Sequence, residues 1–414
     1  MKPTVAGFLL GVTMFAGMAL PALADFDTAM RAYGEGDYAT AFREFKNDGS
    51  VEAQFNLGLM FTMGYGVRQD HREAATWYRK AAESGYPLAQ YTLGMLYSKG
   101  DGVEHDQKEA VRWYRKAAEQ GHAIAQFNTG FMFERGEGVE QDRKEAARWY
   151  RKAAEQGVMP AQYNLALLYE KGEGVEKDTK EAIRWYLKAA EKGFVAAQFN
   201  LSLLYGQGAG SKPDYKEAIR WCRKAAEQGY APAQFNLGYL YDKGAGVKLD
   251  KKEAASWYRK AAEKGFAAAQ LNLGLLYDNG EGVKQNAAEA IKWYLKAAEK
   301  GLSSALYNIA LMYENGQGVA KDDKEALKWY LKAADQGDAD AQYAIGVIYY
   351  EGAGVEKDLG EAAKWFLKAA DQGSAKAQLK IGLMYDKGEG VKQDPHEAAR
   401  WYRRAAEQTH MKGH

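Results

Sequence analysis

Apolar residues recur along most of this chain at the spacing of amphipathic helices. Between Ala161 and Tyr169 they fall at i, i+4, i+7 and i+8, which predicts one buried stripe on a first helix. Between Ala182 and Ala190 a second stripe forms around Trp185. Each segment is about 12–14 residues long, which is typical of helices in globular proteins. The pattern therefore predicts a helical hairpin.

The same hairpin repeats along the chain. All ten tryptophans follow one another at steps of 36 residues, and they are Trp77, Trp113, Trp149, Trp185, Trp221, Trp257, Trp293, Trp329, Trp365 and Trp401. A fixed period of this size is typical of stacked units that bury their apolar faces against one another. We therefore predict an all-α protein of ten 36-residue helix-loop-helix repeats. The tryptophans are predicted to form its structural core, between the helix pairs.

Polar residues and glycines mark where each helix begins and ends. Asp178 and Glu181 have the spacing of a capping box, in which the first carboxylate accepts orphan amides and the second reaches back. Gly172 and Gly174 are expected to turn the chain between the two helices. Most repeats carry glycine at the position of Ala166, which would let neighbouring helices approach closely.

The start of the chain has the composition of a cleavable leader rather than an uncleaved membrane anchor. Lys2 precedes an apolar run from Val5 to Leu20, and residues 22–24 have the small-x-small form of a cleavage site. We expect a signal peptide over residues 1–24, cleavage after Ala24, and a periplasmic or secreted protein. Later apolar runs are shorter than the ~18 residues needed to span a membrane, so no membrane span is predicted.

The rest of the chain divides into three parts. Residues 25–51 are predicted to form an N-terminal helical cap, 52–408 the ten repeats, and 409–414 a C-terminal tail. The 56 basic and 55 acidic residues nearly cancel, so we predict no binding of nucleic acid. The single cysteine, Cys222, takes the place of an aromatic residue beside tryptophan. We interpret it as a small core residue, and it can form no internal disulfide.

The recurring pattern A-x-x-x-L-G-x-x-Y-x-x-G-x-G-V-x-x-D-x-x-E-A-x-x-W-Y-x-x-A-A-x-x-G resembles the Sel1-like repeat, a relative of the tetratricopeptide repeat. The resemblance implies an exported bacterial member with a right-handed α/α superhelical solenoid, whose first helices line the concave side. It also implies adaptor roles in protein complexes, quality control, signalling and host contact, or roles in exopolysaccharide and envelope regulation. Departures at Ser211, Pro213, Leu306 and Lys380 put uniform curvature in doubt.

The sequence contains no pattern that predicts catalysis. The motifs G-x-S-x-G, H-E-x-x-H and S-x-x-K are missing, and the six histidines are scattered without the spacing of a ligand cluster. The family's penicillin-binding branch has paired cysteines that this chain lacks, so that activity is not carried over. We predict no catalytic residue, no cofactor and no metal site. A cell-envelope hydrolase or β-lactamase-like enzyme is the least supported alternative.

Two further apolar rows lie roughly opposite the buried stripe of the first helix. The aromatic row comprises Phe55, Tyr91, Phe127, Tyr163, Phe199, Phe235, Tyr307 and Tyr343, with Leu271 and Leu379 as exceptions. The second row, four residues on, comprises Leu59, Met95, Phe131, Leu167, Leu203, Tyr239, Leu275, Leu311, Val347 and Leu383. These side chains either fill gaps between adjacent first helices or form a concave groove with an aromatic ladder.

The groove interpretation gives the functional hypothesis. Rigid aromatic side chains offer a large contact area at little entropic cost, which favours a protein or peptide ligand. The candidate partner-binding residues are the aromatic row together with Tyr239. The predicted function is a non-enzymatic exported scaffold that holds a partner protein or peptide in envelope-associated complexes or signalling. A stacked ladder would also suit sugar rings, so a polysaccharide-binding or exopolysaccharide-regulating protein is the alternative.

Overall fold

The computed structural model describes residues 21–208 and 212–411, with side chains from Phe26 to Gln207 and from Lys212 to Glu407. Most of the predicted signal peptide and part of the predicted tail lie outside these residues, as does Ser211 of the fifth loop. Over the described residues the chain forms 22 helices and no strand. The predicted all-α class is therefore confirmed.

The helices fall into two compact units, residues 1–194 and 195–414. The described helices of the first unit are α1 (Pro21–Glu35), α2 (Tyr38–Asp48), α3 (Val51–Met63), α4 (His71–Glu83), α5 (Pro87–Lys99), α6 (Gln107–Glu119), α7 (Ala123–Arg135), α8 (Arg143–Glu155), α9 (Met159–Lys171) and α10 (Thr179–Glu191). The helices of the second unit are α11 (Val195–Gln207), α12 (Tyr215–Glu227), α13 (Ala231–Lys243), α14 (Lys251–Glu263), α15 (Ala267–Asn279), α16 (Ala287–Glu299), α17 (Ser303–Asn315), α18 (Asp323–Asp335), α19 (Ala339–Glu351), α20 (Leu359–Asp371), α21 (Ala375–Lys387) and α22 (Pro395–Met411).

From α3 onward, each odd-numbered helix and the even-numbered helix after it form one hairpin. We number these hairpins repeat 1 (α3 and α4) to repeat 10 (α21 and α22), and α1 with α2 is the cap. The stripe predicted between Ala161 and Tyr169 is buried in α9, and the stripe from Ala182 to Ala190 is buried in α10. The hairpin predicted from apolar periodicity is therefore confirmed.

Two glycines shape the loop inside the hairpin of repeat 4, and the same pair recurs in the other repeats except repeat 5, whose loop lies partly outside the described residues. Gly172 ends α9 in the left-handed conformation (φ 74°), and its N–H donates to the Leu168 carbonyl. Gly174 has φ 71° and lies against the start of α8 in the preceding repeat. A Cβ at Gly174 would come within 2.3 Å of the Arg143 carbonyl. A larger residue would therefore push the two repeats apart.

The second helix of each repeat begins at an aspartate or asparagine. Asp178 Oδ1 accepts hydrogen bonds from the N–H groups of Lys180 (2.9 Å) and Glu181 (3.1 Å), as predicted for an N-cap. The reciprocal half of the predicted capping box is wrong. The Asp178 N–H donates to the Tyr169 carbonyl at 3.0 Å, so the Glu181 carboxylate accepts instead from Arg184 and from Trp185 Nε1.

A small residue in the first helix lies under a large ring of the second. In repeat 3 the Tyr150 side chain is fully buried, and a Cβ at Gly130 would be 2.8 Å from its ring. The same approach recurs at Gly274, where the distance to Tyr294 would be 2.5 Å. Real Cβ atoms do not come this close, so a side chain at either glycine would require the ring or the helix to shift. Repeats 4 and 8 carry alanine here, Ala166 and Ala310, so the position requires a small residue, as its composition in the sequence predicted.

Successive repeats are joined by apolar packing and by side-chain amides. Trp113 of repeat 2 packs with Tyr78 and Leu93 in the core between repeats 1 and 2. Gln126 of repeat 3 is buried, and its Nε2 donates to the Ala118 carbonyl of repeat 2 at 3.1 Å. Gln156 Nε2 then donates to Gln126 Oε1 at 2.8 Å. Repeats 1, 2 and 3 thus complete one another's burial.

Candidate partner-binding surface

The aromatic row lies on the first helices with its rings turned partly into the hairpin. Tyr163 packs on Tyr186 with ring centroids 5.6 Å apart, and Phe235 packs on Tyr258 at the same distance. Phe55 is buried, with 8 % of its surface exposed. The other row members are half-buried. These aromatic residues therefore contribute to packing in the eight repeats that carry them, and only part of each ring is available to a ligand.

Several of these rings also contact the residue just before the next first helix. Phe235 lies 5.2 Å from Phe266, and Tyr91 stacks on His122 at 4.8 Å with an interplanar angle of 22°. Burial lowers the pKa of His122, whose Nδ1 accepts the N–H of Ala125 at the start of α7. Sequence spacing does not distinguish this histidine from the scattered surface histidines, because its partners lie on two different helices.

The second row is the more accessible of the two. In the unit 195–414, Leu203 and Leu275 are each 36 % exposed, Leu383 is 43 % exposed and Tyr239 is 44 % exposed. Among the nine predicted partner-binding residues, Tyr239 is the most exposed. We call the surface formed by both rows the first-helix face. Its apolar side chains project from regular helices, which hold them in fixed positions.

Polar groups beside these rows are engaged in a repeated structural contact. In repeat 3 the buried Tyr150 hydroxyl donates to Glu134 Oε2 of its own first helix at 2.5 Å, and Asn164 of repeat 4 also hydrogen-bonds to it. Burial, and then the bond to Glu134, raise the pKa of Tyr150. Burial likewise raises the pKa of Tyr114 to about 12. These hydroxyls stay protonated and hold adjacent repeats in register, so they do not serve as bases.

Where the buried tyrosine is replaced, its partners change with it. Cys222 stands at this position in repeat 5, and Gly206 and Ser202 stand where repeat 3 has Glu134 and Gly130. Cys222 is buried, as the sequence predicted for a small core residue, and burial raises the pKa of its thiol to about 11. The joint replacement at these three positions is a sequence signal for the contact between the buried tyrosine and the first helix, and the sequence analysis did not use it.

The second helices present a different surface. Each tryptophan has a basic side chain over its ring, such as Lys152 at 4.2 Å from Trp149 and Lys260 at 3.7 Å from Trp257. Six tryptophans are buried and four, Trp77, Trp293, Trp329 and Trp365, are partly exposed. Glutamates also pair with bases three residues on, as Glu145 does with Arg148 at 2.9 Å. The basic groups on this side are therefore largely engaged.

Two open surface grooves lie away from the predicted residues. One, of about 570 Å³, is lined by Arg259, Tyr277 and the residues 283–286 and Glu289. The other, of about 440 Å³, is lined mainly by α8 and the residues 174–175. Neither includes a member of the aromatic row or the second row. The candidate site therefore consists of exposed side chains on regular helices and not of a concave pocket.

Two other features are absent from the part of the chain that the structure describes. Within 21–208 and 212–411, no group of three His, Cys, Asp or Glu side chains is placed to hold a metal ion. In the same part of the chain, no helix is both long and apolar enough to cross a membrane.

Consecutive two-helix hairpins, in which each helix packs on the next one along the chain, define an α-helical solenoid protein. Ten consecutive stretches also match the family profile described as Sel1 repeat: residues 51–86, 87–122, 123–158, 160–194, 195–230, 231–266, 267–302, 303–338, 339–374 and 375–410. The chain belongs to the Sel1 repeat family. Proteins built from these repeats generally act as non-enzymatic scaffolds for protein interactions.

Two solved structures illustrate the similarity. A protective antigen of uropathogenic Escherichia coli with an SLR fold has 38 % sequence identity and a TM-score of 0.82, covering 93 % of this chain and 84 % of that one. A Sel1 repeat protein from Oxalobacter formigenes has 37 % identity and a TM-score of 0.62, covering 72 % of this chain and 87 % of that one. No curated protein sequence matches the chain.

Proposed function

We propose that this protein is an exported scaffold that binds a partner protein or peptide on its first-helix face. The observation that carries the proposal is the exposed second row of the unit 195–414, where Leu203, Tyr239 and Leu275 recur on successive first helices. Apolar side chains that recur on rigid elements are typical of an interaction surface. The half-buried aromatic row lies beside them and packs against the second helices, so the whole surface is held in place.

A protein ligand fits this surface better than a polysaccharide. Sugar rings bind by stacking on open aromatic faces, but the rings of the aromatic row are partly covered by the tyrosines of the second helices, as Tyr163 is by Tyr186. The most accessible positions carry leucine more often than an aromatic residue. Leucine contributes apolar contact area without a stacking face, which suits peptide side chains.

A matched pair of triple variants tests the proposal. The first carries Leu203→Ser, Tyr239→Ser and Leu275→Ser on the first-helix face. The control carries Tyr215→Ser, Leu249→Ser and Leu295→Ser, which removes the same residue types at exposed positions on second helices and a loop. Partners are identified by photo-crosslinking in intact cells from position 239, with position 215 as the crosslinking control.

We expect the first variant to lose at least tenfold in affinity for the crosslinked partner and the control variant to keep it. Both should melt within a few degrees of the parent protein, because surface substitutions rarely change stability by more than about 0.5 kcal/mol. Equal binding by the two variants would refute a site on the first-helix face. Capture of polysaccharide but not protein on ligand arrays would favour the glycan alternative.

Export is part of the proposal and has its own test. The leader pattern of residues 1–24 supports it, as does the description of the similar Escherichia coli protein as a protective antigen. Amino-terminal sequencing of the protein from a fractionated bacterial host should find Asp25 as the first residue of a periplasmic or secreted chain. A full-length chain retained in the cytoplasm would contradict export and leave the binding proposal standing.

A further inference from the structure

The first helix of repeat 10 differs from the others in the charge of its exposed face. Lys376, Leu379, Lys380, Leu383 and Lys387 fall within an arc of about 100° when α21 is viewed down its axis. Leu379 is 49 % exposed and Leu383 is 43 % exposed. Lysines and exposed leucines therefore alternate along one side of this helix, over a length of about 16 Å at ~1.5 Å per residue.

The central lysine, Lys380, occurs together with a change in the buried core. Repeat 9 has Phe366 at the buried position where most repeats have tyrosine, so no hydroxyl is present for an asparagine and an acid to bind. Lys380 stands at the asparagine position and Tyr350 at the acid position. Lys380 Nζ lies 3.8 Å from the centre of the Tyr350 ring, and the Tyr350 hydroxyl donates to Glu389 at 2.8 Å.

The neighbouring first helix supplies an apolar wall next to these lysines. On α19, Tyr343 and Val347 are partly buried and pack against the core around Phe366. Asp340 and Glu351 stand near the two ends of α19, and Glu389 and Asp386 follow on α21 and its loop. Among the described residues, no acid lies within ion-pair distance of the three lysines of α21. Lys376 and Lys387 are exposed, and Lys380 is half-buried against the Tyr350 ring.

We propose that α19 and α21 dock an acidic amphipathic helix of a partner protein. Such a helix would bury apolar side chains at i, i+3, i+4 and i+7 against Leu379, Leu383 and Val347, and place carboxylates along the edge that faces α21. A polyanion without apolar groups would leave the leucines exposed, whereas an uncharged helix would leave the lysines unpaired. The inference rests on the proposed function, because it names the class of partner for one part of the first-helix face.

Selection from a display library provides the test. The full chain is presented with a library of 16-residue helices whose surface positions are randomised, and enriched helices are measured by fluorescence anisotropy at 50 and 300 mM salt. We expect enrichment of helices with leucine-like residues on one face and glutamate or aspartate along its edge. Their affinity should fall at least fivefold at the higher salt, because surface charge pairs are screened.

Two charge-matched variants locate the site. The triple variant Lys376→Glu, Lys380→Glu and Lys387→Glu should weaken binding of the enriched helices by at least tenfold. The control Lys216→Glu, Lys248→Glu and Lys284→Glu changes net charge equally at exposed positions on α12 and in two loops, and should leave binding unchanged. Circular dichroism verifies that both variants fold.

The possible results separate this inference from the proposed function. Enrichment of basic helices, enrichment of none, or equal loss in both charge variants would overturn the acidic-helix inference. If crosslinking from position 239 still identified a protein partner, the proposed function would stand without it. Loss of crosslinking together with intact selection of acidic helices on α21 would instead confine the interaction to repeats 9 and 10.

Discussion

Repeat 3 and repeat 5 build the same hairpin around different buried side chains. In repeat 3, Tyr150 fills the space above Gly130 and hydrogen-bonds to Glu134. In repeat 5, the smaller Cys222 donates to the Ala233 carbonyl at 3.4 Å, and Ser202 replaces the glycine. All three positions therefore differ together in repeat 5, whereas Tyr186 and Tyr330 are buried in repeats that carry alanine, Ala166 and Ala310, in place of the glycine. The comparison shows that this position accepts small residues under a large ring and serine beside the smaller thiol.

The largest expected effect comes from emptying the buried position. Tyr150→Ala should lower the free energy of unfolding by ~3–5 kcal/mol, because it leaves a cavity and removes the hydroxyl that donates a hydrogen bond to the Glu134 carboxylate. Cys222→Ala should cost only about 1 kcal/mol, because one heavy atom is lost. Denaturant unfolding followed by circular dichroism measures both. Similar losses for the two variants would contradict the comparison.

The next effect concerns the small residue beneath the ring. Gly130→Ser should destabilise the protein by ~1–3 kcal/mol, since the new Cβ would meet the Tyr150 ring at 2.8 Å. The reverse change in repeat 5, Ser202→Gly, should cost no more than ~0.5–1 kcal/mol, the ordinary penalty for glycine in a helix. Thermal melting distinguishes them. If both variants lowered the melting temperature by the same small amount, the Tyr150 ring would be able to move away from a side chain at position 130.

A smaller effect isolates the hydroxyl from the ring. Tyr150→Phe should cost about 1–2 kcal/mol, because Glu134 and Asn164 lose their shared partner. Combining Tyr150→Phe with Glu134→Ala should cost less than the sum of the single changes by at least 0.5 kcal/mol, as in a double-mutant cycle for interacting residues. Strict additivity would mean that the hydroxyl and the carboxylate do not interact.

The smallest effect concerns the thiol of repeat 5. Burial raises the pKa of Cys222 from its ordinary value of 9.0 to about 11, so the folded thiol stays protonated while an unfolded one ionises near pH 9. Stability should therefore begin to decline near pH 9, and Cys222→Ser should lessen the decline between about pH 8 and 9.5, below the pH at which unfolded tyrosines ionise. At pH 8 a thiol reagent should react with the unfolded chain but not with the folded one. Rapid labelling of the folded protein would show that repeat 5 opens.

Much of the architecture could be predicted from the sequence, because its period is undisturbed. The ten hairpins, the loop turn at Gly172 and the N-cap at Asp178 all depend on local spacing. The second half of the capping box was wrong because the Asp178 N–H is bound to Tyr169, nine residues earlier. That bond depends on how the loop folds back, which local spacing does not specify.

The candidate site was predicted less completely. Its residues were found as rows on one helix, but the covering of Tyr163 by Tyr186 depends on the register between two helices. The contact between Tyr150 and Glu134 joins residues 16 positions apart, and its sequence signal is the joint replacement at Cys222 and Gly206. The contact between Tyr150 and Glu134 can be predicted only when the register between the two helices of the hairpin is known. Partner binding by the first-helix face stays a prediction.

The position of Gly174 against the carbonyl of Arg143 limits how such a chain can change in length. In repeat 4 the loop lies against the start of the preceding second helix, so a few residues inserted there would separate the two hairpins. A complete 36-residue cassette brings its own glycine and its own carbonyl, so it restores the contact on both sides. Duplication of a whole 36-residue repeat therefore lengthens a protein of this kind without disturbing the packing between neighbouring hairpins.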